Sequence, residues 1–271
     1  MPQLIAMTTH NGFVIPPFKC QYQAIVMKQL ESASSATVHI GNPLVGCRIR
    51  PIPARRRGAS TLPMSHVSAM RADTPFSYRC TRCKACCTGK RIQVNPYEIA
   101  RLARNRGVST GELRARFTEN GALRQDDADT CVFLGKEGCG VHPDRPLVCR
   151  LFPLGRTILA DGSVSFGEVD RNWARGHFGT DGVVKDYVEA QGAAPFIAAA
   201  DAYFAWFVRA HDRVGVASGE GVADDSDDLL DIDTQLAGWA AATGQDAPAD
   251  IDARMRLHLS ILDTKLGEDD D

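Results

Sequence analysis

Hydrophobic positions recur with a regular period in only part of this chain. From Asn95-Pro96 to Gly107, Ile99, Leu102 and Ala103 recur at helical spacing, which predicts a helix opened by Asn-Pro and closed by glycine. Ser109-Thr110-Gly111-Glu112 then has the spacing of a capping box, and Leu113 and Phe117 mark one face of a second helix. In RTILADGSVSFGEV, apolar and polar residues alternate on either side of Asp161-Gly162, predicting two short strands and a tight hairpin. Segments 181–191 and 195–212 read as helices. The second carries Phe196, Tyr203, Phe204, Trp206 and Phe207, expected to form an apolar wall against the segment before the hairpin. Two further helical patterns, 226–243 and 248–265, are separated by Gly244 to Pro248 and follow a Gly-, Ala- and Asp-rich linker at 214–225.

Two regions lack any period. Residues 1–72 contain short apolar fragments, a serine patch at Ser32, Ser34 and Ser35, and RIRPIPARRR, where Pro51 and Pro53 interrupt five arginines. This segment is expected to be mostly disordered: a basic arm, a solvated tail, or residues ahead of a start at Met64 or Met70. Residues 131–149 are rich in Gly, Pro and Cys with no period of 3.6 or 2, so something other than a ladder is expected to hold them.

Charge follows the same divisions. The 271 residues carry 31 basic and 33 acidic groups, but the balance runs from +7 in residues 1–72, through +3 in 73–213, to −12 in 214–271. The expected organisation has these boundaries: a basic N-terminal segment, a domain at 73–213, and a linker with an acidic helical tail. Asp224, Asp225, Asp227 and Asp228 lie near a helix start, where negative charge favours the dipole. Asp231 and Asp233 form a D-x-D pair, but no glycine or closing glutamate completes a calcium loop. With 44% apolar content, no membrane-length apolar run and no signal-peptide pattern, the reading is a folded cytoplasmic protein. No membrane or nucleic-acid partner is expected, and a protein partner or substrate is left open.

Cysteine carries the candidate chemistry. Of nine, Cys20 and Cys47 lie early and seven lie in Cys80-x2-Cys83-x2-Cys86-Cys87 and, 43 residues on, Cys131-x7-Cys139-x9-Cys149. So many thiols in so short a stretch favour metal ligation over a disulfide scaffold. A two-residue gap lets the backbone turn while both sulfurs face one centre. Adjacent Cys86 and Cys87 point in different directions, so one of them is expected to ligate and the other to serve a second centre, a redox step or the surroundings of the ligands. One [4Fe-4S] cluster would use four thiolates, such as Cys80, Cys83 and Cys86 with a remote cysteine. Two zinc sites would use eight ligands, the seven cysteines and His142. Both counts close.

The four clustered cysteines, Cys131 followed by Phe133-Leu134, Cys139, Arg145-Pro146, and Cys149-Arg150 leading to Phe152-Pro153 resemble the YkgJ-type CxxCxxCC family, described as zinc- or iron-chelating. The same cysteine arrangement appears in flagellin lysine N-methylases. The resemblance spans about residues 78–155, with two departures: Lys84 stands where members commonly have Gly, and His142 where they commonly have Tyr. A centre of four thiolates carries negative charge that guanidinium groups would offset, so Arg145 and Arg150 are candidates beside the ligands.

The implied fold is α+β and mostly helical: an irregular cysteine-held core over residues 75–155, a short hairpin and covering helices. No Gly-rich cofactor loop, Ser-His-Asp order or H-E-x-x-H motif appears, and His177, His211 and His258 read as packing or surface residues. Two functions follow. One is a zinc or iron-sulfur centre supporting redox or protein-modification chemistry; the other is a non-enzymatic zinc-stapled module for metal delivery or protein interaction.

Overall fold

The computed structural model describes residues 69–159, 162–169, 171, 174–214 and 226–267. Cys20, Cys47, the arginine cluster at 48–57 and most of the expected linker lie outside these residues. About half of the structure is helical and the strands pair two by two, always antiparallel, an α+β arrangement. In chain order the strands are β1 (Pro75–Arg79), β2 (Thr118–Glu119), β3 (Ala122–Leu123), β4 (Leu134–Gly135), β5 (Gly138–Cys139), β6 (Leu154–Ile158), β7 (Val164–Glu168) and β8 (His177–Val183). The helices are α1 (Pro96–Arg106), α2 (Thr110–Phe117), α3 (Leu147–Leu151), α4 (Val184–Ala190), α5 (Ala194–Val214), α6 (Ser226–Leu229), α7 (Ile232–Thr243) and α8 (Ile251–Gly267).

The element on which the others converge is α1. Asn95 caps it, its side chain accepting from the Glu98 N–H while the Glu98 carboxylate accepts from the Asn95 N–H; Pro96 fills the first position and Gly107 closes it at φ 67°. Seven of its eleven residues are buried, too many for one face. Tyr97 and Ala100 join a helical core with Phe196, Tyr203, Trp206, Leu236 and Leu262, whereas Ile99, Leu102 and Ala103 join Ile92, Val94, Leu113, Phe133 and Val141. The described C-terminal helices therefore pack on α1 and α5. The aromatic helix α5 faces these helices rather than the cysteines, with α1 between, and reaches the cysteine region through Phe196.

A third cluster, of Met70, Phe76, Leu154, Phe166, Val184 and Tyr187, joins β1–β8 to the hairpin β6–β7. The hairpin turns at Gly162, φ 80°, as Asp161-Gly162 predicts. Met70 exchanges both backbone hydrogen bonds with Phe166, at 2.7 and 2.8 Å. Three local expectations are corrected. Residues 181–183 end β8 instead of starting a helix, because Ser77 and Pro75 pair across to Gly179 and Val183. Ser109 does accept from the Glu112 N–H, but Glu112 turns to Arg116 at 2.5 Å rather than back to Ser109. Residues 131–149 hold one small ladder, β4–β5, and the helix α3.

Two buried titratable groups oppose each other. His258 is fully buried; the Leu229 carbonyl can only accept, so Nε2 donates to it at 3.0 Å and Nδ1 accepts from the Tyr203 hydroxyl at 2.8 Å. Burial pushes this imidazole down from 6.5 to about 4. Between those values the unfolded chain binds a proton that the folded chain refuses, so stability falls on acidification. Burial pushes Glu98 up from 4.5 to about 7, outweighing the N–H groups of Leu147 and Asn95 and the Arg150 charge. Its contribution has the other sign and is lost as pH rises from 4.5 to 7. His258→Gln keeps an acceptor for Tyr203 and a donor for Leu229 but cannot titrate. Its stability relative to the parent, from urea unfolding midpoints, is expected to rise by up to about 3 kcal/mol between pH 6.5 and 4; a pH-independent difference would show that His258 does not carry the acid sensitivity.

Candidate metal centre

The first cysteine arm leaves β1 at Arg79 and winds through two residues with left-handed backbone, Arg82 (φ 54°) and Lys84 (φ 63°), into a 3-10 turn at Ala85–Cys87. The left-handed region favours glycine. Lys84, one of the two departures from the resemblance, thus occupies a glycine-type conformation. Its Nζ donates to the Lys136 carbonyl at 2.5 Å, reaching from the first arm to the second.

The second arm is sewn to the first by backbone bonds: the Cys131 N–H donates to the Cys87 carbonyl at 2.8 Å and the Gly89 N–H to Asp129 at 2.9 Å. Asp126 fixes the turn between them, its side chain accepting from the N–H groups of Ala128 and Thr130. Cys131, Cys139 and Cys149 then lie against the same apolar wall, formed by Ile92, Val94, Leu102, Phe133 and Val141, with Phe133 stacked on Phe117. Cys149 sits on α3, and the first N–H of that helix, Leu147, donates to Glu98 Oε1 at 2.7 Å.

All seven described cysteines are free; Cys80 is exposed and the others half-buried. Four share one local cradle, a backbone N–H two residues on aimed at the sulfur. Arg82 donates to Cys80 at 3.3 Å, Ala85 to Cys83, Phe133 to Cys131 and Val141 to Cys139. Such donors stabilise a thiolate and fix its direction. Cys83 accepts also from the Arg175 N–H, and these N–H donors with the neighbouring Thr81 side chain outweigh burial and the Cys86 charge to hold its thiol below the ordinary value. Burial pushes up Cys131, Cys139 and most of all Cys149, with the charges of neighbouring thiols adding to it. Cys86 lies 3.9 Å from Cys87; that contact, with Lys90 and Arg145, brings its thiol down to about 6 and pushes Cys87 up.

Among the described residues no three His, Cys, Asp or Glu side chains stand in ligating geometry. The donor set nevertheless fits a thiophilic ion or cluster. It holds free sulfurs only, two on each arm with N–H donors in place, converging near Cys86, with cationic groups beside them.

The cations divide. Arg145 donates to the His142 carbonyl and to Gln191 Oε1, both at 2.8 Å, and its charge is felt by Cys86 and Cys139. Arg150 is buried and turned away, stacked at 3.9 Å on Phe196 and donating to the carbonyls of Gln191 and Pro143. His142 is exposed, with Nδ1 3.3 Å from Arg145, and burial together with Arg145, Arg82 and Arg150 lowers its affinity for a proton. Sequence reasoning missed Lys90. Its Nζ sits 3.4 Å above the Phe152 ring, burial lowers its pKa, and Cys86, Cys149, Cys87 and Cys83 oppose that lowering. It also missed Tyr78, raised to about 12 by burial and by Cys80, Cys83 and Cys86. Gly176 lies so close to Tyr78 that a Cβ there would meet the ring at 2.4 Å.

Residues 79–170 match the CxxCxxCC family model, described as a putative zinc- or iron-chelating domain. The match takes in all seven clustered cysteines, His142, Arg145, Arg150 and Lys90, and runs on through the β6–β7 hairpin. No curated protein and no solved structure matches the chain. None of the helices described is long and apolar enough to cross a membrane.

The split between the arginines gives a test. Arg150→Met would take the guanidinium donor from the carbonyls of Gln191 and Pro143 and remove the stack on Phe196, and is expected to cost about 3 kcal/mol in urea unfolding. Arg145→Met is expected to cost about 1 kcal/mol; equal costs would contradict the separate roles.

Proposed function

We propose that this chain binds metal through Cys80, Cys83, Cys86, Cys87, Cys131, Cys139 and Cys149, taking up zinc or an iron-sulfur cluster. The observation that carries the reading is the joining of the two arms: the Cys131 N–H donates to the Cys87 carbonyl, and Cys131, Cys139 and Cys149 lie on one wall within reach of the Cys86 charge. Isolated buried cysteines would not be brought together, cradled by N–H donors and flanked by Lys90 and Arg145. The bound group would supply Lewis acidity if zinc, or electron transfer if iron-sulfur. The chain's own residues hold it, offset its charge and leave one thiol, Cys80, at the surface.

That surface position favours a centre that reacts with something outside the fold, as redox or protein-modification chemistry requires. A second reading, a non-enzymatic zinc staple for metal delivery or protein interaction, is favoured by Cys131, Cys139 and Cys149 lying on a packed apolar wall. His142 could complete the zinc ligand count only through Nε2, because Arg145 stands at Nδ1.

Anaerobic purification followed by elemental analysis and a visible spectrum separates the readings. Iron with inorganic sulfide and broad absorbance at roughly 400 nm supports the first; colourless protein with stoichiometric zinc supports the second. Protein that takes up neither metal under reducing conditions overturns both. Stripping the metal with a chelator is expected to expose residues 131–149 to protease. Lys90→Met is expected to weaken metal affinity by roughly 10- to 100-fold in chelator competition, with Lys90→Arg close to the parent, because a positive charge beside the thiolates is lost in one and kept in the other.

A further inference from the structure

Two acid-free stretches of the chain meet at the end of the β1–β8 ribbon. From Thr74 to Tyr97 the sequence has no Asp or Glu and five cations, Arg79, Arg82, Lys84, Lys90 and Arg91; from Arg171 to Thr180 it again has no acid and carries Arg171, Arg175 and His177. The fold lays one stretch against the other. Arg79 stands directly opposite His177 in the ladder, and the Thr81 hydroxyl donates to the Arg175 carbonyl at 2.9 Å. Tyr78 and Phe178, the neighbouring pair in the register, pack their rings against the third apolar cluster, and Gly176 leaves the space that the Tyr78 ring fills. Side chains alternate between the two faces of a ribbon, so Arg79, His177 and, two residues before it, Arg175 take the outer face, where all three are exposed.

This arrangement costs the chain stability on its own. Cations that neighbour one another on one face of a ladder repel. Arg101, Arg116, Arg156, Arg171, Arg209 and Arg254 each meet a carboxylate, but no carboxylate among the described residues pairs with Arg79, Arg82 or Arg175. Arg82, exposed three residues along the arm from Arg79, is held at φ 54°, in the region that glycine takes more readily. Nothing described within the fold offsets these costs. We propose that this face is a docking surface for an acidic segment of a partner protein, whose carboxylates take the places that no described carboxylate of this chain fills. Guanidinium groups suit carboxylates because each can donate two parallel N–H bonds. The bound segment would lie beside Cys80, the exposed thiol that follows Arg79, and its docking needs no metal on the cysteines. A nucleic acid fits the face poorly. The rings of Tyr78 and Phe178 are turned inward, away from any base that would stack, and residues 214–271 carry a charge of −12 that repels a polyanion.

Fluorescence anisotropy of a fluorescein-labelled peptide of eight glutamates, with the reduced full-length chain at low ionic strength, tests the surface. Saturable binding is expected, weakening as salt is added. Arg79→Gln, Arg82→Gln and Arg175→Gln are each expected to weaken it by about 2- to 5-fold and the triple variant by about 10- to 100-fold, whereas Arg104→Gln and Arg106→Gln, in the last turn of α1, are expected to leave it unchanged. Arg79→Gln and Arg175→Gln are also expected to unfold at or above the urea midpoint of the parent, because they relieve repulsion; a lower midpoint for both would reveal a partner within the fold and overturns the docking surface. Binding that none of the three variants weakens, or that Arg104→Gln weakens equally, overturns it as well. So does an oligothymidylate of the same charge that binds more tightly than the peptide, or inorganic phosphate that displaces the peptide at equal concentration of charge. Zinc and iron content of Arg79→Gln and Arg175→Gln is expected to equal that of the parent; loss of metal and peptide together would trace the effect to the cysteines and overturn a docking role for the arginines.

Discussion

One carboxylate joins the helical half of the molecule to the cysteine half. Glu98 Oε2 accepts from the N–H that opens α1, at 2.9 Å, and Oε1 accepts from the N–H that opens the short helix bearing Cys149, at 2.7 Å. Two helix starts are thereby fixed to one another through a side chain that is itself 4% exposed. A buried acid held this way cannot be replaced by a hydrophobe without orphaning both donors. The direction in which α3 sends Cys149 one way and Arg150 the other follows from where Glu98 pins its first residue. A five-residue helix is too short to hold its own orientation, so the anchor decides it.

The charges around the thiols follow from that orientation. Because α3 turns Arg150 toward Phe196 and Gln191, the guanidinium works as a brace between α3, α4 and α5 and leaves the sulfurs to others. Arg145, one turn earlier, and Lys90, from the strand-like segment opposite, face the thiols. Lys90 follows the first arm by three residues and Arg145 lies within the second, so positive charge gathers around the cysteines only once both arms are in place. Lys90 is held over Phe152, whose own carbonyl accepts from the Tyr187 hydroxyl at 2.6 Å. The third apolar cluster thus reaches the cysteines through one aromatic ring.

Much of this was legible in the sequence where the signal is local. Asn95-Pro96 and Gly107 bound α1 as their chemistry requires, and the hairpin turns at Gly162. The spacing of the cysteines and the Arg-Pro and Cys-Arg-x-Phe-Pro elements led to the family that the comparison bears out over residues 79–170. Long-range pairings were not legible. PFSYR and HFGTDGV pair at long range, but neither alternates strictly, and Gly179 in the second and Gly176 just before it mark close approach to Ser77 and Tyr78 rather than a loop. Lys90 carries no local mark at all: a lysine three residues beyond a cysteine is ordinary until the second arm folds over it. Glu98 could be read as a helix-start acid, but its second bond goes to a residue 49 positions away. The Arg150 assignment failed to anticipate a side chain pointing away from the cysteine beside it, since adjacent residues on a helix diverge.

The backbone bond from Cys131 to Cys87 closes a ring of chain that contains all of α1 and α2. A hydrogen bond holds such a ring weakly, worth about 1 kcal/mol. A metal bridging the same two cysteines would act as a covalent-strength crosslink, and in the chain-entropy account a loop of this length confines the unfolded chain by about 4 kcal/mol. Of the helices inside the ring, α1 joins the first two apolar clusters and α2 joins the second, so the crosslink would bear on the packed interior and not on a peripheral loop. The cysteines would then set how far the chain can open, in addition to whatever they bind.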